Sequence, residues 1–277
     1  MESNEDLLSA LDNGVLTITF NRPNAHNAFT LNMWSTLLKL LQDAAMDPAV
    51  RCVLLMGAGK SFCAGADVQT FGVVDTTDPM AVRYANDPVW TDIELRVARL
   101  VRNADITKLL HSMGKPTVAA VRGAAAGAGL SMAAACDFRI AADNAKFVAA
   151  FARIGTSGDF GISYFLTKLV GAMKARELLF LGDRTDAQEA LAMGLINRVV
   201  PDAELETEAR ALARRLADGP PVAYRLLKQN IITAETENLD AVIQVEARNM
   251  IRSLTTEDSK EAVRAFQEKR EPKFSGR

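Results

Sequence analysis

The sequence predicts an α/β fold that ends in a helical region, and two observations support this prediction. Residues 14–20 and 51–56 are apolar segments typical of β-strands, and a helical pattern lies between them. Strand, helix and strand in this order are typical of α/β proteins. After about residue 201, apolar side chains recur only at helical spacing. We therefore expect residues 1–200 to form the core of the fold and residues 201–277 to form a helical C-terminal region.

The individual elements follow from hydrophobic periodicity and from turn-forming residues. The strand at residues 14–20 alternates in polarity, and Thr30 is placed to cap the helix that follows it. Between residues 72 and 92 the periodic pattern lapses, which predicts a loop or a loosely ordered lid. Further strands are predicted at residues 51–56, 116–121 and 137–142. Helices are predicted near residues 92–110, 163–181, 186–193, 204–217, 221–233, 239–253 and 257–269.

Composition and charge exclude several classes of protein. The chain has 277 residues and a formal net charge of −2, which gives no electrostatic reason to bind nucleic acid or an anionic membrane. Its three cysteines, Cys52, Cys63 and Cys136, form neither a CxxC motif nor an even disulfide framework, which indicates a reducing compartment. No segment has the length or apolar character of a membrane span, and the first residues do not form a signal peptide. We expect a cytoplasmic protein without nucleic-acid or membrane partners.

The histidines give no indication of a metal centre. His26 and His111 have no cysteine, histidine or carboxylate partner at ligand spacing, so no metal site is predicted. Both residues are more typical of ordinary surface or turn positions. Cys63 is expected to be a small packing residue, because nothing near it in the sequence would lower the pKa of its thiol.

A loop rich in glycine and alanine follows the strand predicted at residues 116–121. Between residues 123 and 129 no side chain is able to take part in chemistry, so the loop offers only its backbone N–H groups at the start of a helix. Such groups, together with the helix dipole, favour an anion or an oxygen that becomes negative during a reaction. The alternative is that the loop is only a tightly packed turn between strand and helix.

A second loop of small residues, 62–67, follows the strand predicted at residues 51–56. If the two strands are neighbours, one N–H group from each loop could converge on a single oxygen. Each donor of this kind is worth about 2.7–4 kcal/mol to a developing oxyanion. Small side chains suit this role because the substrate must approach the backbone closely. The two loops are therefore candidates for an oxyanion hole.

Several short motifs span nearly the whole chain in an order that is found in one known family. They are residues 21–23 with 27–28, residues 62–67, 115–129, 136–137, 145–147, 187–199 and 265–270. In these motifs the sequence resembles the crotonase superfamily, the enoyl-CoA hydratases and isomerases. The resemblance implies a crotonase-like spiral of ββα units, with a helical C-terminal region that assembles homotrimers or hexamers.

The resemblance also implies a substrate and the residues that bind it. The substrate would be an acyl-CoA thioester, with coenzyme A as part of the substrate and no separate cofactor. The thioester oxygen would accept hydrogen bonds from the backbone N–H groups of Ala66 and Ala128. Family members usually have glycine at the position of Ala128, and alanine still donates its N–H. The positions that correspond to coenzyme A contacts are Asn24, Ala25, His26, Ala64, Asp67 and Val68, together with Phe266 and Lys269, which in the family often reach an adjacent subunit.

The sequence departs from the family pattern at the acid–base residues. Hydratases of the family hold and activate water with two glutamates, and the matching positions here are Ser131 and Phe151. Both side chains are expected to line the substrate site, and neither replaces a glutamate in proton transfer. Phe151 and Phe160 would also make the pocket more apolar, which favours a cyclic or branched acyl group.

A single carboxylate, Asp159, lies in the loop at residues 155–161. This loop resembles that of family members that place their acid later in the chain, where ring-processing enoyl-CoA isomerases use an aspartate and an aryl-CoA dehalogenase uses it as a nucleophile. Moving a double bond needs one base, which takes a proton from one carbon and returns it to another. The nucleophilic route needs a further general base, and Ala104 stands where the dehalogenase has its histidine. The non-catalytic alternative is that Asp159 caps the following helix.

The sequence therefore predicts an acyl-CoA enzyme whose reaction is enoyl-CoA double-bond isomerisation with Asp159 as the acid–base group. One alternative is an enoyl-CoA hydratase that uses Asp159 and an ordered water. A second alternative is a coenzyme A-binding homologue without turnover, because both usual glutamates are absent.

Overall fold

The computed structural model describes residues 5–67 and 92–277, and its strands form two sheets. In chain order the strands are β1 (Leu7–Asp12), β2 (Val15–Phe20), β3 (Cys52–Gly57), β4 (Thr117–Val121), β5 (Ala124–Ala126), β6 (Phe138–Ala142), β7 (Lys146–Val148), β8 (Thr185–Asp186) and β9 (Arg198–Val200). The larger sheet has the order β1-β2-β3-β4-β6-β9, and β5, β7 and β8 form a smaller sheet. Apart from the antiparallel pair β1 and β2, neighbours in the larger sheet are parallel.

The helices alternate with the strands along the chain, and the last four follow the final strand. They are α1 (Leu31–Met46), α2 (Ile93–Asn103), α3 (Asp105–Ser112), α4 (Ala128–Ala135), α5 (Ile162–Leu181), α6 (Ala187–Ala192), α7 (Leu205–Asp218), α8 (Pro221–Thr236), α9 (Leu239–Leu254) and α10 (Glu257–Glu268). The predicted α/β fold with a helical C-terminal region is confirmed. None of the described helices combines the length and the apolar character needed to cross a membrane.

The inner strands of the larger sheet, β2, β3, β4 and β6, are buried on both faces, as is typical of parallel sheets covered by helices. Along β3 the side chains alternate between two cores. Val53 and Leu55 pack with α1 and α4 in the main core, whereas Leu54 and Met56 pack with α7 in a smaller core on the other face. The side of α7 that faces the sheet consists of one leucine and alanines spaced four residues apart, Leu205, Ala209, Ala213 and Ala217. Small side chains at that spacing let the helix lie close to the strands.

The division of the chain at residue 200 stays a prediction. Cys63, which is predicted to be a packing residue, is buried, and Cys52 and Cys136 are also buried free thiols.

The predicted strands and helices are mostly present, and the differences have local causes. The helix predicted at residues 92–110 is two helices, α2 and α3, which meet at Ala104. Strand β1 was not predicted, because only its first residue, Leu7, is buried and its sequence therefore shows no alternation. Strand β5 consists of three alanines and carries no polarity pattern. The predicted lid covers residues 72–92, of which only Asp92, the N-cap of α2, lies within the described residues.

Candidate active site

Two loops of small residues meet at one edge of the larger sheet. Strands β3 and β4 are parallel neighbours, so the loops that follow them leave from the same edge, as the sequence analysis required. Cys63 pairs with Ala125 in β5 through two backbone hydrogen bonds of 2.9 Å. A Cβ atom on Gly65 would lie only 2.9 Å from the Ala126 carbonyl oxygen and 3.5 Å from the Ala128 nitrogen. The two loops are therefore in contact, and glycine is needed at position 65 for this close approach.

Two backbone N–H groups remain unused where these loops meet. Ala66 forms an isolated parallel pair with Phe29, in which the residues flanking Ala66 bond to Phe29 at 2.8 and 3.1 Å. In such a pair the N–H of the central residue faces the other way. Ala128 is the first residue of α4, and its N–H has no acceptor within the helix. Within the described residues, no acceptor takes the N–H of Ala66 or of Ala128.

The electrostatics of this position favour negative charge. Helix α4 begins at Ala128 after Gly127, which provides no side-chain cap and has φ of 51°. The positive end of the helix dipole therefore lies at the same place as the two unused donors. Together they would stabilise an oxygen that gains negative charge, so this geometry has the form of an oxyanion hole.

Asp159 lies beside the first turn of α4. The hydroxyl of Ser131, a fully buried residue, lies 3.3 Å from the carbonyl oxygens of both Gly127 and Asp159. Ser131 is three residues after Ala128, about one helical turn or ~5 Å along the axis. The backbone of Asp159 is thus held close to the two unused donors.

The Asp159 side chain is half-buried, and its carboxylate has no hydrogen-bond partner among the described residues. Its Oδ1 atom is inaccessible to solvent and unpartnered. Burial raises the pKa of the Asp159 carboxyl to about 6, because the charged form loses hydration. A carboxylate in this condition is suited to transfer protons near neutral pH.

The alternative that Asp159 caps the next helix is wrong. The N-cap of α5 is Gly161, and no side chain caps that helix end. Only the backbone of Asp159 takes part, since its carbonyl oxygen accepts a 3.1 Å hydrogen bond from the N–H of Ile162. The carboxylate is therefore not used in holding the helix.

Phe151 lies between the α4 loop and the Asp159 loop. Its ring is 4.0 Å from the Cβ position of Gly127 and 3.8 Å from that of Gly158. The side chain is almost completely buried. Phe151 and Ser131 therefore both border the candidate site, and an aromatic ring and a hydroxyl stand where the resemblance places two glutamates.

The predicted coenzyme A contacts near the N-terminus form one cluster. Asn24 and Ala25 lie in a short 3-10 turn that ends at His26, which has φ of 49°. The N–H of Ala64 donates a 3.0 Å hydrogen bond to the carbonyl oxygen of His26. The His26 ring nitrogen Nδ1 lies 3.1 Å from the Ser61 hydroxyl. The fold thus joins this turn directly to the loop that carries Ala66.

The other predicted coenzyme A contacts have different outcomes. Asp67 belongs to the same cluster and pairs with Arg22 at 3.0 Å. Val68 lies outside the described residues. Phe266 is 85% exposed on α10, and Lys269 ends that helix. Among the described residues, no hydrogen bond or ion pair joins Phe266 or Lys269 to the N-terminal cluster.

The remaining candidate groups lie outside this chemistry. Cys63 is completely buried, and burial raises the pKa of its thiol to about 12, in keeping with a packing residue. The His111 ring lies 3.0 Å from a Glu235 carboxylate oxygen and packs edge-to-face on Tyr164. In the part of the chain that the structure describes, no group of three His, Cys, Asp or Glu side chains is arranged to hold a metal ion.

Comparison with known proteins decides the family. The sequence profile of the enoyl-CoA hydratase/isomerase family matches residues 10–277. The chain belongs to this family. Solved structures agree, since a Bacillus anthracis enoyl-CoA hydratase superposes with a TM-score of 0.86 at 30% identity, covering 98% of this chain and 100% of that one. An enoyl-CoA hydratase from Polaromonas sp. JS666 gives a TM-score of 0.84 at 31% identity, covering 97% and 99%. The predicted crotonase-like fold is thereby confirmed.

Curated relatives in the enoyl-CoA hydratase/isomerase family differ in the reactions for which they are named. A 1,2-epoxyphenylacetyl-CoA isomerase from Escherichia coli is 37% identical over 273 residues, which is 99% of each chain. A trans-2-decenoyl-[acyl-carrier-protein] isomerase from Streptococcus mutans is 32% identical over 99% of each chain. A short-chain-enoyl-CoA hydratase from Clostridium acetobutylicum is 33% identical, covering 98% of this chain and 97% of its own.

Two residues that support the site in this family member were given no role by the sequence analysis. Asn27 is completely buried with φ of 57°. Its side-chain oxygen accepts from the Arg22 N–H at 2.8 Å, and its amide nitrogen donates to the carbonyl oxygens of Ala58 and Ser61. Asn27 therefore fixes the N-terminal turn against the loop after β3. Asn27 belongs to the family motif formed by residues 21–23 and 27–28, and this is the feature of the sequence that could have indicated its role.

The second such residue is Arg139 in β6, which lies at the opposite end of α4 from Ala128. Its guanidinium is buried and donates hydrogen bonds to the carbonyl oxygens of Ala133, Ala134, Cys136 and Leu195. Three of these oxygens belong to the end of α4, where helix carbonyls lack intrahelical partners. A cation there also complements the negative end of the helix dipole. Nothing in the local sequence distinguishes this arginine from a surface residue.

Proposed function

We propose that this family member is an enoyl-thioester isomerase that moves a double bond along the acyl chain of an acyl-CoA. The observation that carries the proposal is the half-buried carboxylate of Asp159, whose inner oxygen Oδ1 has no partner among the described residues, beside two unused backbone N–H groups. Ser131 and Phe151 leave no second carboxylate at the two positions where the resemblance places glutamates.

In the proposed reaction, the N–H groups of Ala66 and Ala128 donate hydrogen bonds to the thioester oxygen. Asp159 takes a proton from one carbon of the enoyl group, and the electrons move toward the thioester to form a dienolate. The two donors stabilise the negative charge of this dienolate. Asp159 then returns the proton at the other end of the conjugated system, and the double bond is shifted. A pKa near 6 suits a group that must act first as a base and then as an acid.

The names of the relatives support isomerisation as the leading reaction. The Escherichia coli and Streptococcus mutans relatives are both named as isomerases. The phenylacetyl group in the first of these names also agrees with the cyclic or branched acyl group that the sequence predicts from Phe151 and Phe160. The second name leaves open a carrier-protein thioester in place of coenzyme A.

Hydration is the second candidate reaction, because one observation and one relative favour it. The unpartnered Oδ1 of Asp159 is an acceptor to which an ordered water could donate. The Clostridium acetobutylicum relative is named as a hydratase. In this reaction Asp159 would activate the water that adds across the double bond. A coenzyme A-binding protein without turnover is the third candidate.

Coenzyme A would enter the site as part of the substrate, without a separate cofactor. The cluster formed by Asn24, Ala25, His26, Ala64 and Asp67 would hold its nucleotide and pantetheine, with Val68 beside them. We propose a homotrimer or a dimer of trimers, in which Phe266 and Lys269 reach the coenzyme A of an adjacent copy. The 85% exposure of the Phe266 side chain supports a partner at that position.

The reaction is tested by incubating the protein separately with 3-enoyl-CoA and 2-enoyl-CoA thioesters and identifying the products by NMR and mass spectrometry. A shifted double bond at unchanged mass supports isomerisation. A 3-hydroxyacyl product, heavier by one water, supports hydration, and tight binding without product supports the third candidate. Asp159→Asn is expected to abolish turnover, whereas Asp43→Asn, at an exposed carboxylate on α1, serves as the matched control. Full isomerase activity in Asp159→Asn would show that Asp159 is not the acid–base group.

A further inference from the structure

A chain of three aromatic side chains connects the two halves of the proposed site. The Trp34 ring stacks on Phe160, with centroids 4.6 Å apart and planes inclined by 26°. Trp34 also packs on Phe29, with centroids 4.2 Å apart and planes inclined by 38°. All three side chains are at most 5% exposed. Trp34 is thus the central member of a buried stack.

At one end of the stack, Phe160 directly follows Asp159 in a tightly turned loop. Phe160 has φ of 51°, a left-handed conformation that is unfavourable for a bulky side chain. The glycines at positions 158 and 161 are also left-handed, with φ of 98° and 74°. Without a contact that holds the ring, Phe160 would relax to an ordinary backbone conformation and rotate the peptide that carries Asp159. The stack on Trp34 is the aromatic contact that holds it.

At the other end of the stack, Phe29 is paired with the loop that carries the oxyanion donor. The N–H of Phe29 donates to the Gly65 carbonyl oxygen at 2.8 Å, and its own carbonyl oxygen accepts from the Asp67 N–H at 3.1 Å. Ala66 lies between those two bonds. The position of the Ala66 N–H is therefore tied to the position of Phe29.

Trp34 itself lies on a rigid support. It belongs to the first turn of α1, which is capped by Thr30 through a 3.2 Å hydrogen bond from the Met33 N–H to the threonine hydroxyl. The N–H of Trp34 also donates to the Thr30 carbonyl oxygen at 3.2 Å. A side chain on a capped helix is a fixed reference for the two loops that contact it.

We propose that Trp34 is a positioning residue that sets the separation between the Asp159 carboxylate and the N–H of Ala66. The inference rests on the proposed function, because that separation decides whether one carboxylate reaches the carbons of a thioester held by the two donors. Proton transfer and oxyanion stabilisation must act on the same bound molecule, and a misplacement of about 1 Å is enough to lower a rate by about 100-fold. Trp34 does not belong to the N-terminal cluster proposed to bind coenzyme A.

The informative comparison is between Trp34→Leu and Trp34→Phe. Leucine fills much of the space but cannot stack, whereas phenylalanine retains an aromatic face. We expect Trp34→Leu to lower kcat by about 10- to 100-fold, with KM for the enoyl thioester changed by less than about twofold. We expect Trp34→Phe to restore most of the kcat. Leu41→Val, at a completely buried position on the same helix, is the control for a general loss of packing.

A second readout separates positioning from packing and does not depend on turnover. The Asp159 carboxyl pKa is measured by carbon-13 NMR in the wild-type protein, in Trp34→Leu, in Trp34→Phe and in Leu41→Val, with Asp159→Asn to assign the signal. If Trp34 holds the loop of Asp159 and Phe160 in place, Trp34→Leu admits water to the carboxyl, and its pKa falls toward the ordinary aspartate value. Leu41→Val does not admit water there, so the carboxyl pKa stays unchanged. Phe160→Leu is expected to give the same shift, and it serves if Trp34→Leu does not fold.

The outcomes distinguish the two proposals. If the wild-type protein converts no enoyl thioester, the proposed function fails, and the carboxyl pKa alone decides the role of Trp34. A Trp34→Leu protein that keeps the wild-type carboxyl pKa, or that keeps the wild-type kcat where there is turnover, overturns the positioning role. A lowered pKa and a lowered kcat, both rescued by phenylalanine, support it.

Discussion

Within the part of the chain that the structure describes, the Asp159 carboxylate lacks the hydrogen bonds and ion pairs that carboxylates inside proteins usually make. Its Oδ1 is buried without a hydrogen bond, and its pKa is raised to about 6 by loss of hydration alone. Burying an ionisable group in this way lowers stability, and groups so treated are frequent at functional sites. The raised pKa gives two measurable consequences at neutral and acidic pH.

We expect activity and stability to depend on the Asp159 carboxyl in opposite directions. The proposed base must be ionised, so kcat/KM should fall about tenfold per pH unit below about 6. The folded pKa lies above the unfolded value near 3.8, so the folded state holds more protons between about pH 4 and 6. The free energy of unfolding should therefore fall, relative to Asp159→Asn, as the pH rises through this window. At pH 8 the variant should be more stable by about 1–2 kcal/mol, a figure reduced for the partial exposure of the group.

Urea denaturation of the two proteins at pH 4 and pH 8 measures this difference. If the free energies of unfolding of the two proteins differ by the same amount at both pH values, Asp159 has an ordinary pKa in the folded state.

Gly65 is a second residue whose importance is set by its surroundings. In Gly65→Ala the new Cβ would lie 2.9 Å from the Ala126 carbonyl oxygen at a φ of 96°. We expect the loop to move away from α4, with a loss of at least about 100-fold in kcat, since one oxyanion donor is displaced. The control is Gly171→Ala in α5, which carries a similar φ of 76° but meets no atom within 4 Å and lies outside the loop of Asp159. Comparable kcat values in the two variants would exclude a role for the close approach.

At the residue scale, the sequence indicated which side chains to examine but not their environments. Asp159, Ser131 and Phe151 were chosen by resemblance, and the structure brings all three together. The raised pKa of Asp159 could not be predicted, because it depends on burial by residues distant in the chain. The left-handed conformation of Phe160 could not be predicted either, because glycine or asparagine is the usual residue in that conformation. The contact that holds Phe160 in it comes from Trp34, which lies on another element.

Among the elements, α4 has the largest part in the proposed chemistry. All of its residues are buried, so it has no polar face, and its sequence of small apolar residues shows no amphipathic period. Its first N–H faces the site, and its last carbonyls are bound by Arg139. The helix is thus held at its far end by a charge that lies outside the reaction.

Removal of the Arg139 guanidinium should therefore destabilise the protein more than an ordinary arginine substitution. Arg139→Met leaves several buried carbonyl oxygens without donors, which we expect to cost about 2–4 kcal/mol of unfolding free energy. The control is Arg198→Met on the neighbouring strand, where the side chain is 55% exposed and pairs with Glu208. That change should cost less than about 1 kcal/mol. Urea denaturation measures both, and similar losses would argue against the capping role of Arg139.

The elements differ in how far the sequence could predict them. Strands β2 and β3 were found because each has at least six residues and apolar side chains. Strands β7, β8 and β9 have three residues or fewer, too short for any period to emerge. The break at Ala104 has no proline or glycine to mark it. Its cause is tertiary, because α3 has buried residues and α2 has none.

At the scale of the whole molecule, three successive helices of the C-terminal region each expose a large apolar side chain. Ile231 on α8, Ile251 on α9 and Phe266 on α10 are all more than 60% exposed. A partner subunit that covered these side chains would remove their apolar area from water. They support the proposed trimer, which the sequence suggested only through its resemblance to the family.

We expect light scattering after size exclusion to give three times, or six times, the mass of one chain. Ile251→Glu should shift the mass toward that of a single chain, because burying an unpaired carboxylate opposes association. If Phe266 and Lys269 complete an adjacent site, KM for the acyl-CoA should rise in parallel. Leu8→Glu, at an exposed leucine on β1, should change neither property. A wild-type protein with the mass of one chain would contradict the proposed assembly.

The two donors of the proposed oxyanion hole are peptide groups, and this affects how such a protein responds to mutation. A substitution at position 66 or 128 changes a side chain and leaves the N–H in place, unless the new residue is proline. The two N–H groups therefore stop polarising a thioester only if the path of the main chain changes. The side chains proposed to border the carbons of the substrate, among them Ser131, Phe151 and Asp159, are exchangeable one at a time. A lineage built on this scaffold is thus free to acquire a new reaction while its means of activating a thioester is inherited unaltered.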